Sequence, residues 1–287
     1  MPANLGAILT AMVTPFDADG RVDEEAAVRL MHHLVEHGSD GLVICGTTGE
    51  ASTLNDDEHL GMISLAVQEM RGRCTIVAGV GSNDTRHAVH LTERATEIGA
   101  DALLSVNPYY NRPSRRGIVR HYQEVVKATD RPIVLYNIPQ RTASDMSNDL
   151  LAELAQLDHI AAVKQANAAN LAKIDGLQIY AGNDDLLADV LDLGEAGGIL
   201  VASHLFGDEV HRMVDEPDRR REIDQGLQDV YRDLGVAPLA CSTKAALNML
   251  GIPVGTPRLP YVELDEQETA TVHAMLARHG LLQAARA

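Results

Sequence analysis

The sequence predicts a closed (β/α)8 barrel, a TIM barrel, because eight short apolar runs alternate with helical patterns within about the first 210 residues. The runs are continuous rather than alternating in polarity, which is typical of parallel strands covered on both faces. An open doubly wound sheet is the alternative, but eight units of similar size favour closure. We expect strands at residues 7–13, 41–45, 75–79, 102–106, 133–137, 161–164, 178–182 and 198–203.

Helical patterns lie between these runs, for example at residues 23–38, 83–100 and 147–158. The first of them has acidic residues in its first turn and ends at Gly38, as expected for a helix with a glycine just past its end. After Phe206 the strand runs cease. Residues 208–250 and 265–285 have helical patterns, and the proline-rich residues 251–264 form a connector. We therefore predict a barrel with the active site over residues 1–207 and a C-terminal helical appendage, with no apparent chemistry of its own, over residues 208–287.

The composition excludes several classes of partner. With 24 basic and 41 acidic residues the chain carries a formal charge of −17, which disfavours nucleic acid and anionic membranes. No apolar run is long enough for a membrane span, and the first residues lack the basic region of a signal peptide. The three cysteines, Cys45, Cys74 and Cys241, are far apart and suggest neither disulfides nor a metal site. We expect a cytoplasmic protein.

The side chain of Lys164 is the first candidate for chemistry, since active sites of such barrels lie where the strands end. It follows the apolar residues 160–163 and should be drawn into the barrel. Burial lowers the pKa of an ammonium from roughly 10.4, and a neutral amine can attack a carbonyl to form a Schiff base. The alternative is a structural lysine that reaches solvent or pairs with Asp184.

Other polar residues follow neighbouring strands. Tyr136 ends the fifth run, so its phenol could lie beside Lys164 and move protons there, or it could be an ordinary core tyrosine. Thr47 and Thr48 follow the second run and offer N–H and O–H donors suited to a carboxylate; their loop lacks the lysine of a nucleotide-binding P-loop. Arg141 could bind a second carboxylate or could be a surface residue.

One possible metal pair is set aside. His33 and His37 lie four residues apart on one predicted helix, but no glutamate follows His33 as the helical zinc motif requires. That helix also belongs to the exterior of the barrel. We interpret the two histidines as part of a solvated face and expect no metal site.

Taken together, the motifs resemble those of the dihydrodipicolinate synthase / N-acetylneuraminate lyase family of pyruvate-dependent class I aldolases. The likeness covers nearly the whole chain, and the order and spacing of its motifs make it specific. The motifs are "TAMVTPF", "GTTGEAST", "NPYYNRP", "LYNIPQRT", "AVK" and "GTPRLP".

The resemblance implies catalytic roles for four residues. Lys164 matches the lysine that forms the pyruvyl imine, and Tyr136 matches the tyrosine that transfers protons at that imine. Thr48 matches the threonine that links Tyr136 to a second tyrosine, Tyr110, which a neighbouring subunit donates in the family. A homotetramer built as a dimer of tight dimers is therefore expected.

The resemblance also implies substrate-binding residues. Thr47 and Thr48 match groups that hold the pyruvate carboxylate, while Gly182 and Ile199 match positions that line the pyruvate pocket. No cofactor or metal is expected, because the imine itself serves as the electron sink.

Details of two motifs favour the synthase branch, whose members condense pyruvate with aspartate-semialdehyde in lysine and diaminopimelate biosynthesis. These are "GTTGE" and the Pro-x-Arg-Thr pattern, in which Arg141 matches the arginine that binds the aldehyde's carboxylate. One departure is "KQANAANL" after the lysine, where typical synthases carry an acidic residue. An aldolase of 2-keto-3-deoxy-sugar acids is the enzymatic alternative, and a ligand-binding paralogue without turnover is the non-enzymatic one.

Overall fold

The structure is a computed structural model that describes residues 4–282. Eight parallel strands close into a barrel in chain order, and the last strand pairs with the first. This confirms the predicted barrel, with each strand within three residues of its predicted ends. The strands are β1 (Ile8–Ala11), β2 (Gly41–Ile44), β3 (Thr75–Gly79), β4 (Ala102–Val106), β5 (Ile133–Asn137), β6 (Ile160–Gln165), β7 (Gln178–Ala181) and β8 (Gly197–Leu200).

Helices follow the strands and surround the barrel. Several helices begin at a residue whose side chain accepts a hydrogen bond from a backbone N–H group of the first turn. Asp23 caps α1 in this way, and Asn55 caps α2, where it forms a capping box with Glu58. The helices are α1 (Glu24–Glu36), α2 (Asp56–Met70), α3 (Thr85–Ile98), α4 (Arg115–Val125), α5 (Pro139–Thr142), α6 (Asn148–Leu154), α7 (Leu187–Asp192), α8 (Ser203–Asp215), α9 (Arg220–Leu234), α10 (Leu239–Met249) and α11 (Glu266–Arg278). Short 3-10 turns lie at Ala51–Thr53, Val126–Ala128, Ala168–Asn170, Asp184–Leu186 and Pro217–Arg219.

The apolar core has two layers. One layer fills the space between strands and helices, and the other fills the barrel interior. Successive strand residues point to opposite faces, so Val134 and Tyr136 of β5 share the inner face, as do Ala162 and Lys164 of β6. The strand pattern therefore directs Tyr136 and Lys164 to the carboxyl end of the barrel interior.

The C-terminal region is helical, as predicted. Residues 208–250 contain the rest of α8, then α9 and α10, with Pro217 and Pro238 between them. The helix predicted at 265–285 ends at Arg278, shortly before Gly280 in a left-handed conformation, and residues 283–285 lie outside the described part. The predicted boundary after residue 207 falls inside α8. The division of the chain into a barrel and a C-terminal helical region stays a prediction. No helix within residues 4–282 is long and apolar enough to cross a membrane.

Candidate active site

Lys164 and Tyr136 lie side by side at the carboxyl ends of β6 and β5. The two residues are register partners in the parallel pairing of these strands, and each is only 5% exposed. The Lys164 Nζ lies 4.5 Å from the centroid of the Tyr136 ring. The sequence-based expectation that these side chains are neighbours is confirmed.

The environment of Lys164 favours a neutral amine. Burial lowers its pKa to about 8, and the positive charge of Arg141 acts in the same direction, while the carboxylate of Asp184 opposes both. A lysine with that pKa is about one tenth unprotonated at pH 7. That fraction makes the side chain a usable nucleophile.

The structure does not support the alternative in which Lys164 is a paired structural lysine. Within residues 4–282, the lysine ion pairs are those of Lys127 with Glu124 and Lys244 with Glu50. Asp184 instead accepts hydrogen bonds from the backbone N–H groups of Val201 (3.0 Å) and Ala202 (2.8 Å), so it acts on Lys164 through space rather than by contact.

The phenol of Tyr136 is held in its protonated form. Burial raises its pKa to about 12, an effect that the charge of Arg141 and the nearby polar side chain of Thr47 partly oppose. A protonated phenol beside the amine can donate a proton to an oxygen that forms there and take it back later. The chemistry of Lys164 and Tyr136 thus suits the roles predicted for them, a nucleophile and a proton-transfer group, within one chain.

The loop after β2 brings Thr47 and Thr48 to the same end of the barrel. Thr47 is exposed and Thr48 is buried. Glu50 N–H donates to the Thr47 carbonyl (3.1 Å), and Ala51 N–H donates to the Gly46 carbonyl (3.3 Å), which closes the loop on itself. In the described part of the chain, the N–H groups of Thr47 and Thr48 donate to no backbone carbonyl, so they are available for an anionic ligand.

A cavity of about 320 Å³ opens at this end of the barrel. Its wall includes Thr47, Tyr136 and Arg141, and also Tyr109. Lys164 does not line the cavity directly, but its amine lies against the ring of Tyr136, which does. The cavity therefore brings Thr47, Arg141 and Tyr136, three of the predicted site residues, onto one surface.

Arg141 lies in the short helix α5, and the segment that follows it is fixed by an amide network that sequence reasoning missed. The carboxylate of Asp145 accepts hydrogen bonds from the side-chain amides of Asn137 (2.8 Å), Asn167 (3.1 Å) and Asn170 (2.7 Å). The oxygen of Gln165 accepts from the Asn137 amide (3.0 Å) and from Asn167 N–H (3.0 Å).

This network accounts for the unusual residues after the lysine. Gln165, Asn167 and Asn170 belong to "KQANAANL", and their amides join the loop after β6 to the loop that carries Arg141. Gln165 takes part in this network only as an acceptor, since among the described residues its Nε2 has no hydrogen-bond partner. The residues that depart from the usual synthase pattern thus help to hold two loops together.

The remaining predicted site residues fall into two groups. Gly182 follows β7 and Ile199 lies within β8: a side chain on Gly182 would meet Ala166 at 2.8 Å, and Ile199 is fully buried among the inner-layer residues. Neither lines the cavity described above, and their place in the pyruvate pocket stays a prediction. Tyr110 is different, since it is 88% exposed and is not brought to the cavity of its own chain.

No grouping of histidine, cysteine, aspartate or glutamate suited to a metal ion occurs in residues 4–282. His37 is exposed and pairs with Asp208 (3.1 Å), and His33 packs against it with 4.5 Å between ring centroids. The pair therefore lies on an exterior helix.

The fold and the site define a class: a (β/α)8 barrel with a buried, unpaired lysine beside a buried tyrosine at the carboxyl ends of neighbouring strands. The comparison with family models is more specific. Residues 4–279 match the dihydrodipicolinate synthetase family, and the chain belongs to that family.

Individual relatives agree with this assignment. The chain is 38% identical over 282 residues to a 4-hydroxy-tetrahydrodipicolinate synthase of Caldicellulosiruptor bescii, an alignment that covers 94% of this chain and 96% of the relative. It superposes on the crystal structure of a Bacillus anthracis dihydrodipicolinate synthase with a TM-score of 0.92 at 34% identity, covering 96% and 99% of the two chains. A structure described as the first monomeric dihydrodipicolinate synthase variant superposes with a TM-score of 0.90 at 29% identity, covering 97% and 98%.

Proposed function

We propose that this chain catalyses the reaction for which its relatives are named, the condensation of pyruvate with aspartate-semialdehyde to 4-hydroxy-tetrahydrodipicolinate. That product lies on the route to diaminopimelate and lysine. The observation that carries the proposal is the buried Lys164, which has a lowered pKa and lies beside Tyr136 in a chain of this family. The enzyme class is a lyase of the Schiff-base type.

The first half of the reaction activates pyruvate. The neutral amine of Lys164 attacks the ketone carbon, Tyr136 protonates the oxygen, and loss of water gives the imine. The Thr47 and Thr48 donors bind the pyruvate carboxylate meanwhile. The imine withdraws electrons from the neighbouring methyl group, so a proton leaves that methyl and an enamine forms.

The second half joins the two substrates. The enamine carbon attacks the aldehyde carbon, and the resulting alkoxide takes a proton from the relay of Tyr136, Thr48 and Tyr110. The amine of the former aspartate-semialdehyde then attacks the imine carbon, expels the amine of Lys164 and closes the ring. Arg141 binds the carboxylate of the aldehyde substrate at the cavity mouth. These steps need no metal or added cofactor.

The assembly belongs to the same proposal. Tyr110 is exposed in the single chain, which suits a residue that completes the site of a neighbouring subunit in a homotetramer of two tight dimers. Sedimentation analysis measures the assembly. Mixing the inactive variants Tyr110→Phe and Lys164→Ala should recover part of the activity, because one site of each mixed dimer carries neither change; no recovery after demonstrated subunit exchange contradicts this arrangement. We place the enzyme in the cytoplasm.

The substrate assignment is tested by measuring kcat/KM for each candidate reaction and comparing the values. Purified protein should condense pyruvate with aspartate-semialdehyde at a kcat/KM at least about a hundredfold above that for cleavage of 2-keto-3-deoxygluconate or sialic acid. Faster cleavage of the keto-deoxy sugar acid would assign the chain to the aldolase alternative. Pyruvate binding without turnover of any of the three would indicate a ligand-binding paralogue.

A further inference from the structure

The C-terminal helices contact the loop that carries Thr47 and Thr48 through a buried ion pair. Glu50 ends that loop, and its carboxylate oxygen Oε1 lies 2.6 Å from the Nζ of Lys244, in the middle of α10. The two side chains are 0% and 1% exposed. The second oxygen of Glu50 accepts from the backbone N–H of Arg258, in the connector between α10 and α11, at 2.9 Å.

The two C-terminal cations, Lys244 and Arg258, also contact other residues at the mouth of the barrel. Lys244 also donates to the Thr256 carbonyl (3.2 Å) and lies 4.0 Å from the centroid of the Phe16 ring, after β1. The guanidinium of Arg258 lies 4.2 Å from the same ring and pairs with Glu58 in α2 (2.5 Å). A ring after β1, the loop after β2 and two C-terminal segments thus meet at one point.

The guanidinium of Arg258 also reaches the backbone around this point. It donates to the carbonyl of Gly20 (2.7 Å) and to the carbonyl of Thr53 (2.9 Å), in the turn that follows the Thr47–Thr48 loop. These contacts span more than 200 positions of sequence, from the connector to the start of the barrel. The loop after β2 is therefore fixed from outside as well as by its own hydrogen bonds.

The backbone of this loop needs such support. Cys45 and Glu50, which bracket the loop, both have φ angles of 55°, in the left-handed region that costs a non-glycine residue free energy. The Thr14 hydroxyl donates to the Gly49 carbonyl (2.6 Å), which fixes the loop from one side. The carboxylate of Glu50 is held from the other side by Lys244 and by Arg258 N–H.

Stability alone is a poor reason for a buried ion pair. Such pairs cost desolvation energy and can often be replaced by apolar residues without loss of stability, whereas they do restrict conformation. We propose that Glu50, Lys244 and Arg258 form a clamp by which the C-terminal helices hold the Thr47–Thr48 loop in the shape that binds the pyruvate carboxylate. Lys244 and Arg258 are positioning residues: they touch neither substrate nor Lys164.

This inference rests on the function proposed above and adds a role to the region predicted to have no chemistry of its own. Its consequence is selective between the two substrates. Loosening the loop should weaken capture of pyruvate and, because Thr48 belongs to the proposed proton relay, also lower kcat. The Arg141 segment, which binds the second substrate, does not contact the clamp. Misplacement of a binding group by about 1 Å costs up to about a hundredfold, so a rise of about ten- to a hundredfold in half-saturating pyruvate is expected.

The test is a titration of covalent trapping. Protein is incubated with pyruvate and borohydride, and the adduct on Lys164 is quantified by mass spectrometry against pyruvate concentration. The variants are Lys244→Met, the double variant Glu50→Gln with Lys244→Met, and Arg258→Met. Arg220→Met is the matched control, because Arg220 is a similarly covered C-terminal arginine paired with Asp192 (2.6 Å), away from the loop.

The double variant keeps the test decisive if Lys244→Met alone fails to fold, since it leaves no unpaired buried charge. We expect the double variant and Arg258→Met to need about ten- to a hundredfold more pyruvate, with the KM for aspartate-semialdehyde within about twofold of wild type, while Arg220→Met traps like wild type. If folded clamp variants form the Lys164 adduct at the same pyruvate concentrations as wild type, the clamp proposal is wrong, but the proposed function still stands. Absence of any adduct in the wild-type protein would overturn the proposed function and the clamp with it.

Discussion

The two buried lysines of this chain lie in opposite electrostatic settings. Lys164, at the end of β6, and Lys244, in α10, are both removed from solvent, and each lies against an aromatic ring. Lys244 has the carboxylate of Glu50 at 2.6 Å, whereas Lys164 has no ion-pair partner in the described residues. Burial lowers both pKa values; Glu50 opposes the shift for Lys244, and the charge of Arg141 adds to it for Lys164.

The difference shows that burial alone does not make a lysine reactive. A buried ammonium beside a carboxylate stays charged and fixes structure, whereas one without a contacting partner gives up its proton at a pH that cells reach. The two other lysines, Lys127 and Lys173, are exposed. We therefore assign the chemistry to Lys164 and the holding of a loop to Lys244.

Exchanging each buried lysine for methionine should separate the two roles most strongly. Lys164→Met should lower kcat by more than about 10⁴-fold, as removal of a covalent nucleophile does, with stability unchanged or increased. Lys244→Met leaves Glu50 buried without its partner and should lower the free energy of unfolding by about 3–5 kcal/mol. Steady-state kinetics and urea denaturation measure both effects. The comparison fails if Lys164→Met unfolds the protein while Lys244→Met alone abolishes imine formation.

Removing one hydroxyl beside Lys164 should have the next largest effect. Tyr136→Phe keeps the ring that covers the amine but removes the proton donor, so kcat should fall by about 10²–10⁴-fold. Tyr122→Phe is a suitable control, because that buried tyrosine donates to the Ser105 carbonyl (3.2 Å) outside the proposed site. Equal losses of kcat in the two variants would indicate that Tyr136 acts only through packing.

The exposed arginine at the cavity mouth should affect the second substrate most, although its removal also takes away a positive charge that lowers the pKa of Lys164. A charge-assisted hydrogen bond contributes about 1.5–3 kcal/mol, so Arg141→Ala should lower kcat/KM for aspartate-semialdehyde by about ten- to a hundredfold. Trapping of pyruvate on Lys164 should persist in this variant. A variant that condenses aspartate-semialdehyde as well as wild type would contradict the assignment to the synthase branch.

The smallest expected effect is a shift in pH dependence. Because the pKa of Lys164 is lowered to about 8, the rate of imine formation should rise with pH through about 8 and then level off. Asp184→Asn removes the carboxylate that raises this pKa and should move the inflection to lower pH. An inflection that Asp184→Asn leaves in place would show that Asp184 does not tune the amine.

The same shift has a consequence for stability with a definite sign. The folded state releases the Lys164 proton near pH 8 and the unfolded state near 10.5, so the unfolded state binds more protons between these values. Within that window the free energy of unfolding should rise with pH, by an increment that Lys164→Met lacks. A wild-type increment equal to that of Lys164→Met would mean that the pKa of Lys164 is not lowered.

The role of Lys164 could be predicted from the sequence, whereas the role of Lys244 could not, for a physical reason. Lys164 could be found because a strand alternates its faces and an active site lies at strand ends, so position alone points the side chain inward. Lys244 carries a similar signal, a lysine within the apolar segment "LACSTKAALNML", but a helical lysine can reach solvent from many positions. Its partner Glu50 lies almost 200 residues away, and no local pattern joins the two.

The same distinction, between features visible in a local sequence pattern and features that need the folded barrel, applies to other parts of the site. The loop with Thr47 and Thr48 follows an apolar strand and could be recognised from its donors. The amide network around Asp145 could not, because Asn137, Asn167 and Asn170 meet only when the ends of β5 and β6 are brought together. Sequence patterns locate residues relative to a strand or helix, whereas contacts between loops require the closed barrel.

The most direct test of the account is to map the lysine that pyruvate modifies. Wild-type protein is treated with pyruvate and borohydride, digested, and its four lysines are assigned by mass spectrometry, with Lys244 as the buried control. The account predicts one pyruvyl adduct per chain, on Lys164, and unmodified Lys127, Lys173 and Lys244. An adduct on Lys244, or a protein that turns over both substrates without any adduct on Lys164, would contradict it.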